Sequence, residues 1–391
     1  VGPDLHRNWT GGNLTVNAAA GQVITIDASR AGDGGVLTLT GAGSVIVTDM
    51  KGSSRIEAGS LQGELVINIA DDGRVTQVSI TTGSGRTTVN ALDARDVVSI
   101  DAGRLPDDGR LVLTGTVDSV TVRQLVADLD ASALRAGELD FQTAASTSAR
   151  TVAVKTGAGE TIAVGTASDT ILIDAEALAD DAFLLTGGGA GYQVTNLVAD
   201  LVNTAGGAVS VTLDDDQRTG PVSTTLTHQG VSTMTVDNGS FADGDTIVVN
   251  GNGTIVVSGL LADLNASASS GAVSLTTAVH GGANQSVSVS TGSGPMTATI
   301  ATAGDTVWIN AEALADGVLL RTLGAGSATV SNLLGDFTNA ASGAVSVTLD
   351  DDASLAAVGS TLTQQASGVL TVNSGAFGAA DSIVLAGSGG F

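Results

Sequence analysis

The sequence contains no cysteine, so neither a disulfide framework nor a thiolate metal site is available to this chain. Proline is scarce, with four residues in 391, and the turns must therefore rely on Gly, Asn and Asp for positive φ angles. Only 2% of the residues are aromatic. Any core must then be thin and filled by small branched side chains, which favours layered or coiled β structure over a bulky globule.

Positive charge is also scarce, because Asp and Glu number 40 against 15 Lys and Arg, and the formal net charge is -25. Phosphate binding needs clustered cations, so we expect no nucleic-acid partner and no attraction to an anionic membrane. The chain has no apolar run of about 18 residues, and we predict no transmembrane segment. The acidity suits two roles, which are keeping a long exposed surface soluble and supplying carboxylates for calcium.

What the sequence does have is internal repetition. The segment GAVSVTLDDD occurs at Gly207–Asp216 and again at Gly343–Asp352, which is an offset of 136 residues. The same offset joins the AEALAD segments at Ala175–Asp180 and Ala311–Asp316. A shorter period of 64 to 74 residues is marked by strand-like segments that open at Gly63, Gly137, Gly207, Gly271 and Gly343. We therefore predict one continuous array over residues 1–391, built from five repeats of about 70 residues.

The apolar runs have the pattern of β-strands, since each is four to seven residues long, rich in Val, Ile, Leu and Thr, and bounded by Gly, Asn, Asp or Ser. Helical periodicity is missing, and the AEALAD segments are long enough only for a single turn or corner. Six strands are predicted between Gly207 and Ser270: Val209–Leu213, Ser223–Thr227, Thr233–Val236, Thr246–Val249, Thr254–Val257 and a weaker one near Leu264. A recurrent turn also precedes an Asp-led strand, from Gly83 to Asp96, Gly157 to Asp169 and Gly292 to Asp305.

Two all-β architectures fit these strands. In a parallel β-solenoid, or β-helix, successive coils stack about 4.8 Å apart and cover each other's apolar faces. The alternative is a tandem row of small antiparallel β-sandwiches. We predict the solenoid, because a sandwich of about 70 residues without disulfides or buried rings buries too little surface. A coil of about 23 residues gives three coils to each repeat, with either two or three strands in each coil.

The two ends of the chain lie inside the repeating pattern. The first ten residues are polar and lack both an initiator Met and an apolar stretch of the signal-peptide type. The last segment, from Asp381, matches the one from Asp245 and then stops. We therefore expect either a fragment of a longer protein or end coils that stack on copies of themselves, because an uncovered coil invites strand addition.

The texture of Thr, Ala, Gly, Val and Asp, together with phrases such as TGAGETIAVGTASDTILIDAEAL at Thr156–Leu178, resembles known bacterial repeats. The chain is similar to the β-strand repeats of S-layer proteins and of large secreted adhesins of the type I-secreted, RTX-like kind. It contains no full copy of the calcium-binding nonapeptide GGxGxDxLx that such families often carry. The resemblance implies an extracellular or cell-surface location on a bacterium and a structural or adhesive role.

Two Asp triplets at equivalent turns are the candidate site residues: Asp214, Asp215, Asp216 and Asp350, Asp351, Asp352. Calcium takes six to eight oxygen ligands, commonly from carboxylates and turn carbonyls, and a repeated Asp-rich turn supplies part of such a shell. In the alternative, these carboxylates accept backbone N–H groups in solvated turns. Calcium is thus the one cofactor that the sequence points to.

Catalytic residues are not predicted, and we expect no enzyme. The three histidines are isolated in sequence: His6, His228 and His280. Gln364 replaces His228 at the 136-residue offset, which argues against a base needed in every repeat. The counterpart of Trp308 is Leu172, so Trp308 is assigned to packing and not to a platform for sugars.

We expect a structural protein that builds a surface layer or filament through head-to-tail stacking of its ends or lateral contact of its faces. The alternative is the stalk or binding segment of a large adhesin that recognises a cell-surface glycan or protein. Self-association of the isolated chain, or its absence, separates the two functions.

Overall fold

A computed structural model describes residues 5–135, 137–215, 220–281, 284–350, 359–377 and 381–388. The chain divides into two compact units, of which the first holds Val1–Asp200 and Ala205–Gly207 and the second Leu201–Thr204 and Ala208–Phe391. All the regular structure within these described ranges is β-strand. The same ranges contain no helix that is long and apolar enough to cross a membrane.

The first unit is a parallel β-solenoid in which consecutive strands alternate between two sheets, so that each turn gives one strand to each sheet. The odd-numbered sheet holds β1 (Leu5–Asn8), β3 (Val23–Asp27), β5 (Ser44–Met50), β7 (Leu65–Ile69), β9 (Thr87–Ala91), β11 (Arg110–Gly115), β13 (Asp128–Leu134), β15 (Thr151–Lys155), β17 (Thr170–Asp174) and β19 (Gly191–Leu197). The even-numbered sheet holds β2 (Asn13–Ala18), β4 (Val36–Gly41), β6 (Ser54–Leu61), β8 (Gln77–Thr81), β10 (Val97–Asp101), β12 (Ser119–Leu125), β14 (Glu138–Thr143), β16 (Thr161–Gly165) and β18 (Phe183–Gly188).

The second unit follows the same rule, with each strand paired in parallel to the strand two places further along the chain. Its even-numbered sheet holds β20 (Asp200–Asn203), β22 (Ser223–His228), β24 (Thr246–Gly251), β26 (Asp263–Asn265), β28 (Ser286–Ser290), β30 (Thr306–Asn310), β32 (Ser327–Leu333), β34 (Val345–Leu349) and β36 (Leu370–Asn373). Its odd-numbered sheet holds β21 (Val209–Leu213), β23 (Thr233–Asp237), β25 (Thr254–Leu260), β27 (Val273–Thr277), β29 (Met296–Ile300), β31 (Leu319–Gly324), β33 (Asp336–Ala341), β35 (Gly359–Gln364) and β37 (Ser382–Gly387).

The prediction of a parallel β-solenoid is confirmed, and the alternative of antiparallel sandwiches is wrong, since the described strand pairings are parallel. Each coil holds two strands, which settles the choice between two and three. The six strands predicted between Gly207 and Ser270 correspond to β21 through β26. The AEALAD segments are turns, in which the N–H of Leu178 bonds to the carbonyl of Ala175 and that of Leu314 to the carbonyl of Ala311.

Five repeats of about 70 residues are wrong as a description of the fold, because the structural repeat is a turn of about 21 residues. Each strand is half a turn of the solenoid, and the copies that the sequence shows are separated by a number of strands that is sometimes even and sometimes odd. In the second unit, the segments after Gly207 and Gly271 form β21 and β27 of the same sheet, six strands apart, but the segment after Gly343 forms β34 of the other sheet. Copies separated by an odd number of strands therefore lie in opposite sheets.

The core of each unit is made by inward side chains that stack from turn to turn. Along β5, Val45 and Val47 are fully buried while Ser44, Ile46 and Thr48 lie on the outer face. The parallel register places Ile24, Val45 and Leu65 in one column, each at most 2% exposed. Burying a side chain of this size contributes about 1.5–3 kcal/mol, so the alternation in sequence fixes which face of each strand points inward.

Candidate functional site

The first Asp triplet lies on the turn after β21, and the structure describes two of its members. Ser240, on the turn one coil further along, donates its hydroxyl to Asp214 Oδ1 at 2.6 Å and lies 3.1 Å from Asp215 Oδ1. The same hydroxyl oxygen accepts the backbone N–H of Asp215 at 2.8 Å. One serine therefore holds two carboxylates close together on an exposed turn.

The second triplet is organised differently. The N–H of Asp350 bonds to the carbonyl of Leu333 at 3.0 Å, and the residue that corresponds to Ser240 is Ala376, which has no hydroxyl. The remaining predicted ligands lie outside the described residues: Asp216, Asp351 and Asp352. Within the part of the chain that the structure describes, no three His, Asp or Glu side chains are grouped so as to hold a metal ion. Calcium binding thus remains a prediction.

Four buried carboxylates, which we call the turn aspartates, each occupy the residue immediately before a strand: Asp96, Asp169, Asp245 and Asp305. The N–H of each bonds to the carbonyl three residues earlier. Three of the carboxylates also accept a backbone N–H from the preceding coil at 2.9–3.0 Å: Thr76 to Asp96, Val222 to Asp245 and Gln285 to Asp305. These charge-assisted hydrogen bonds tie one turn of the solenoid to the next. The recurrent turn in the sequence identifies three of these four aspartates, but it does not indicate that their carboxylates connect neighbouring coils.

Asp169 binds a cation in place of the backbone N–H. Arg150 donates from Nε and Nη2 to its two oxygens at 3.2 and 3.0 Å, and the side chains are only 10% and 0% exposed. Thr143 and Thr166 donate to Oδ2 at 2.7 and 2.6 Å. Burial raises the pKa of this carboxyl, but the bonds from Thr166, Arg150 and Thr143 outweigh burial and lower the pKa below its ordinary value.

Asp305 pairs with His280, whose Nε2 lies 3.0 Å from Asp305 Oδ2. A His–Asp pair invites comparison with catalytic dyads, in which the imidazole must reach a substrate. The space beside this pair, lined by Thr277 and Val287 among others, is too small for a water molecule. The pair therefore packs the turn and has no room for a substrate there.

Asp96 is the turn aspartate that lacks a second partner. Its Oδ1 accepts the N–H of Thr76, whereas its Oδ2 is buried and has no hydrogen-bond partner among the described residues. Burial raises the pKa of Asp96 from 3.8 to about 6, the hydrogen bond from Thr76 opposes this rise, and the negative charges of Asp93 and Asp72 add to it. The ionised form of this side chain is therefore disfavoured in the folded state.

The change Asp96→Asn is expected to stabilise the protein at pH 8 by up to about 3 kcal/mol, because a neutral amide removes the cost of a buried charge. Since the folded pKa is raised, the stability from Asp96 is fully present below pH 3.8 and is lost as the pH rises through about 6. Urea unfolding at several pH values measures both effects. The control is Asp169→Asn, which removes a carboxyl of lowered pKa and is expected to destabilise at pH 8; a destabilising Asp96→Asn would contradict the account.

His228 belongs to a buried polar ladder in the second unit. Its Nδ1 lies 2.8 Å from Asn203 Nδ2, and its Nε2 lies 2.7 Å from the carbonyl oxygen of Ser232. The bond with the carbonyl requires a proton on Nε2, so Nδ1 accepts from the amide of Asn203 in the neutral ring. At the 136-residue offset, Asn339 Nδ2 donates to Gln364 Oε1 at 2.8 Å, and Gln364 Nε2 donates to the carbonyl of Gly368. Imidazole and amide therefore perform the same structural task.

The assignment of Trp308 to packing is wrong. Its side chain is 52% exposed on the outer face of β30, where Ser288 and Thr329 flank it in register. Val307 and Ile309 take the two inward positions of this strand, so the residue between them must face outward. Strand alternation alone contained the signal for this orientation.

A groove of ≈ 390 Å³ lies on the outer face of the odd-numbered sheet in the first unit. Its floor includes Ala153 and Leu172, and its rim includes the ion pair of Arg110 with Asp130 and that of Lys155 with Asp174. Leu172 is the counterpart of Trp308, so both units place an apolar side chain outward at this position of the repeat. The groove carries both charge signs. Burial raises the pKa of Asp130, but the hydrogen bonds from Ser132 and Arg110 outweigh burial and lower the pKa below its ordinary value.

Comparisons of the chain with protein-family models, with curated proteins and with solved structures found no match.

Proposed function

We propose that this chain is a structural component of a bacterial surface layer or filament, in which the solenoid serves as a building element. The observation that carries the proposal is the placement of repeated segments in the second unit. The identical strands β21 and β34 lie in opposite sheets and turn Ser210 and Thr212, or Ser346 and Thr348, to the outside.

The two outer faces of the second unit therefore share hydroxyl-rich segments. A body with two similar faces is able to make the same lateral contact on both sides, and a contact that repeats without closing produces an open array. Catalytic proteins, in contrast, concentrate their chemistry at one site. The likeness of the faces thus favours assembly.

The ionisable groups of the interior support the same proposal. The turn aspartates hold neighbouring coils together, and His228 bonds to Asn203 as Gln364 bonds to Asn339 at the 136-residue offset. A functional base needs access to a substrate, whereas His228 is fully buried and bonded at both ring nitrogens. These residues are used for stability of the stack.

Assembly of a chain with net charge -25 requires that the repulsion between copies be screened or bridged. Calcium is suited to bridging, because it accepts carboxylate ligands from more than one turn. The pair of carboxylates at Asp214 and Asp215 is our proposed point of calcium contact. An extracellular location, where calcium is abundant, follows from the resemblance to S-layer proteins and secreted adhesins and is part of the proposal.

The test is light scattering and electron microscopy of the purified chain in calcium, in magnesium and in a chelator. We expect ordered sheets or filaments in calcium that disperse in chelator. The double change Asp214→Asn and Asp215→Asn is expected to raise the calcium concentration needed for assembly roughly tenfold. The matched control, Asp107→Asn with Asp108→Asn, removes the same charge from another exposed turn and is expected to leave that concentration unchanged. Dispersed particles under all conditions would favour the adhesin stalk instead.

A further inference from the structure

Trp308 differs from the other aromatic residues in its exposure. Among the aromatic side chains of the described ranges, Trp308 alone is classed as exposed, at 52%. Phe183 and Phe377 are half-buried, and five rings are at most 1% exposed: Trp9, Phe141, Tyr192, Phe241 and Phe337. The chain has few rings and buries most of those that the structure describes, yet it leaves one indole in solvent. An indole left in solvent forgoes the free energy that burial of its apolar surface would contribute, so packing does not account for its position.

The surroundings of the indole are polar on the same face of the sheet. The parallel register sets Ser288 of β28 and Thr329 of β32 on either side of Trp308. One strand further along, Ser346 of β34 lies beside Thr329. Asp263 of β26 accepts the backbone N–H of Ser288 at 2.8 Å and completes the row. Hydroxyl-bearing residues on the two adjacent strands therefore lie on either side of the ring.

A second polar row lies two residues further along the same strands. Ser290, Asn310 and Ser331 are in register there. Asn310 Oδ1 accepts from Asn332 Nδ2 at 2.9 Å, which fixes the orientation of the Asn310 amide and leaves its own NH₂ pointing away from that bond. The ring thus has oriented hydrogen-bonding groups beside it on a regular pleated surface.

We propose that this face, defined by Ser288, Trp308, Asn310, Thr329 and Ser331, binds a neutral saccharide chain. A pyranose ring presents an apolar C–H face, which stacks on an indole, and a rim of hydroxyl groups, which need donors and acceptors around it. The strongly acidic chain repels anionic polymers, so the sugar is uncharged. The proposal does not depend on self-assembly.

A protein partner fits this face less well. Protein interfaces of ordinary stability bury about 800 Å² on each side around a cluster of apolar anchors. The row that contains Trp308 offers one anchor among serine, threonine and aspartate side chains. One indole among hydroxyl groups matches the dimensions of a single sugar ring.

The position that corresponds to Trp308 in the first unit shows which substitution the repeat tolerates. Leu172 occupies it in the first unit, on the outer face of β17, with Gln193 in register on β19. Leucine therefore fits an outward strand position of this repeat, and Trp308→Leu is expected to fold normally. It removes the aromatic face and keeps an apolar side chain.

The experiment uses the full chain and follows quenching of its tryptophan fluorescence by acrylamide. Trp9 is 1% exposed, so the quenchable signal comes from Trp308. The probes are cellohexaose, chitohexaose, xylohexaose and mannohexaose, with oligogalacturonate as the anionic comparison. We expect at least one neutral probe to protect Trp308 from acrylamide. Trp308→Leu is expected to weaken binding of that probe, measured by calorimetry, about tenfold or more, while Trp308→Phe retains most of the affinity.

Light scattering of the same samples separates this proposal from the structural one. Loss of sugar binding in Trp308→Leu with unchanged assembly supports the saccharide site. Unchanged binding in Trp308→Leu, or no protection by any neutral probe, overturns it. Loss of assembly without any sugar effect also overturns it and shows instead that the indole lies in a contact between copies.

Discussion

Replacing Arg150 with Met is expected to lower the free energy of unfolding by about 3–5 kcal/mol. The guanidinium binds both oxygens of Asp169 and also the carbonyl of Ala144, and it is itself mostly buried. Met fills similar volume but leaves the carboxylate of Asp169 inside the protein without a cation. Guanidinium chloride unfolding followed by circular dichroism measures the loss.

Two controls define the cause of that loss. Arg110→Met removes an ion pair with Asp130 whose arginine side chain is 50% exposed, and we expect a cost below about 1 kcal/mol. In the double variant Arg150→Met with Asp169→Asn, the buried charge disappears, and much of the stability should return. A double variant no more stable than Arg150→Met alone would show that the guanidinium acts by packing and not by charge.

The second large effect is expected at His228, where the type of substitution decides the result. His228→Leu leaves the amide of Asn203 and the carbonyl of Ser232 without their bonds to the ring. Losing each of these hydrogen bonds to a fully buried ring costs about 1–3 kcal/mol, so we expect a loss of about 3–5 kcal/mol in all. His228→Gln should cost below about 1.5 kcal/mol, because a glutamine makes the equivalent bonds at Gln364.

Gln364→Leu provides the matching test in the other copy of the ladder. It removes the bonds to Asn339 and to the carbonyl of Gly368 and is expected to cost as much as His228→Leu. Hydrogen exchange of the amides around each ladder shows whether the loss is local. Equal stability of His228→Leu and His228→Gln would mean that the ladder contributes nothing beyond the space it fills.

The strands and turns of this protein were accessible from its sequence, because they depend on local patterns. Alternating Val, Ile and Thr residues predicted β21 through β26, and the short AEALAD segments were correctly assigned to turns. The recurrent turn before Asp96, Asp169 and Asp305 pointed to residues that hold neighbouring coils together. Even the outward direction of Trp308 was contained in the alternation of β30.

The contacts between coils were not accessible in the same way. Paired residues are 17 positions apart at Thr246 and Asp263 but 25 apart at Val209 and Met234. Surface turns absorb such differences at little cost in free energy, whereas the inward columns hold the strands in register. A neighbour one coil away therefore cannot be found by adding a constant to the residue number.

The sequence by itself determined that this is an all-β chain of short strands with a thin aliphatic core, because the period of two and the scarcity of rings act through local geometry. Only the tertiary structure decided the size of the turn, the sheet that each repeated segment enters, and the pairs Arg150 with Asp169, Asn203 with His228, and Ser240 with Asp214. The physical reason is that these pairs join residues about one coil apart, and the length of each coil is set by how its surface turns fit around the core.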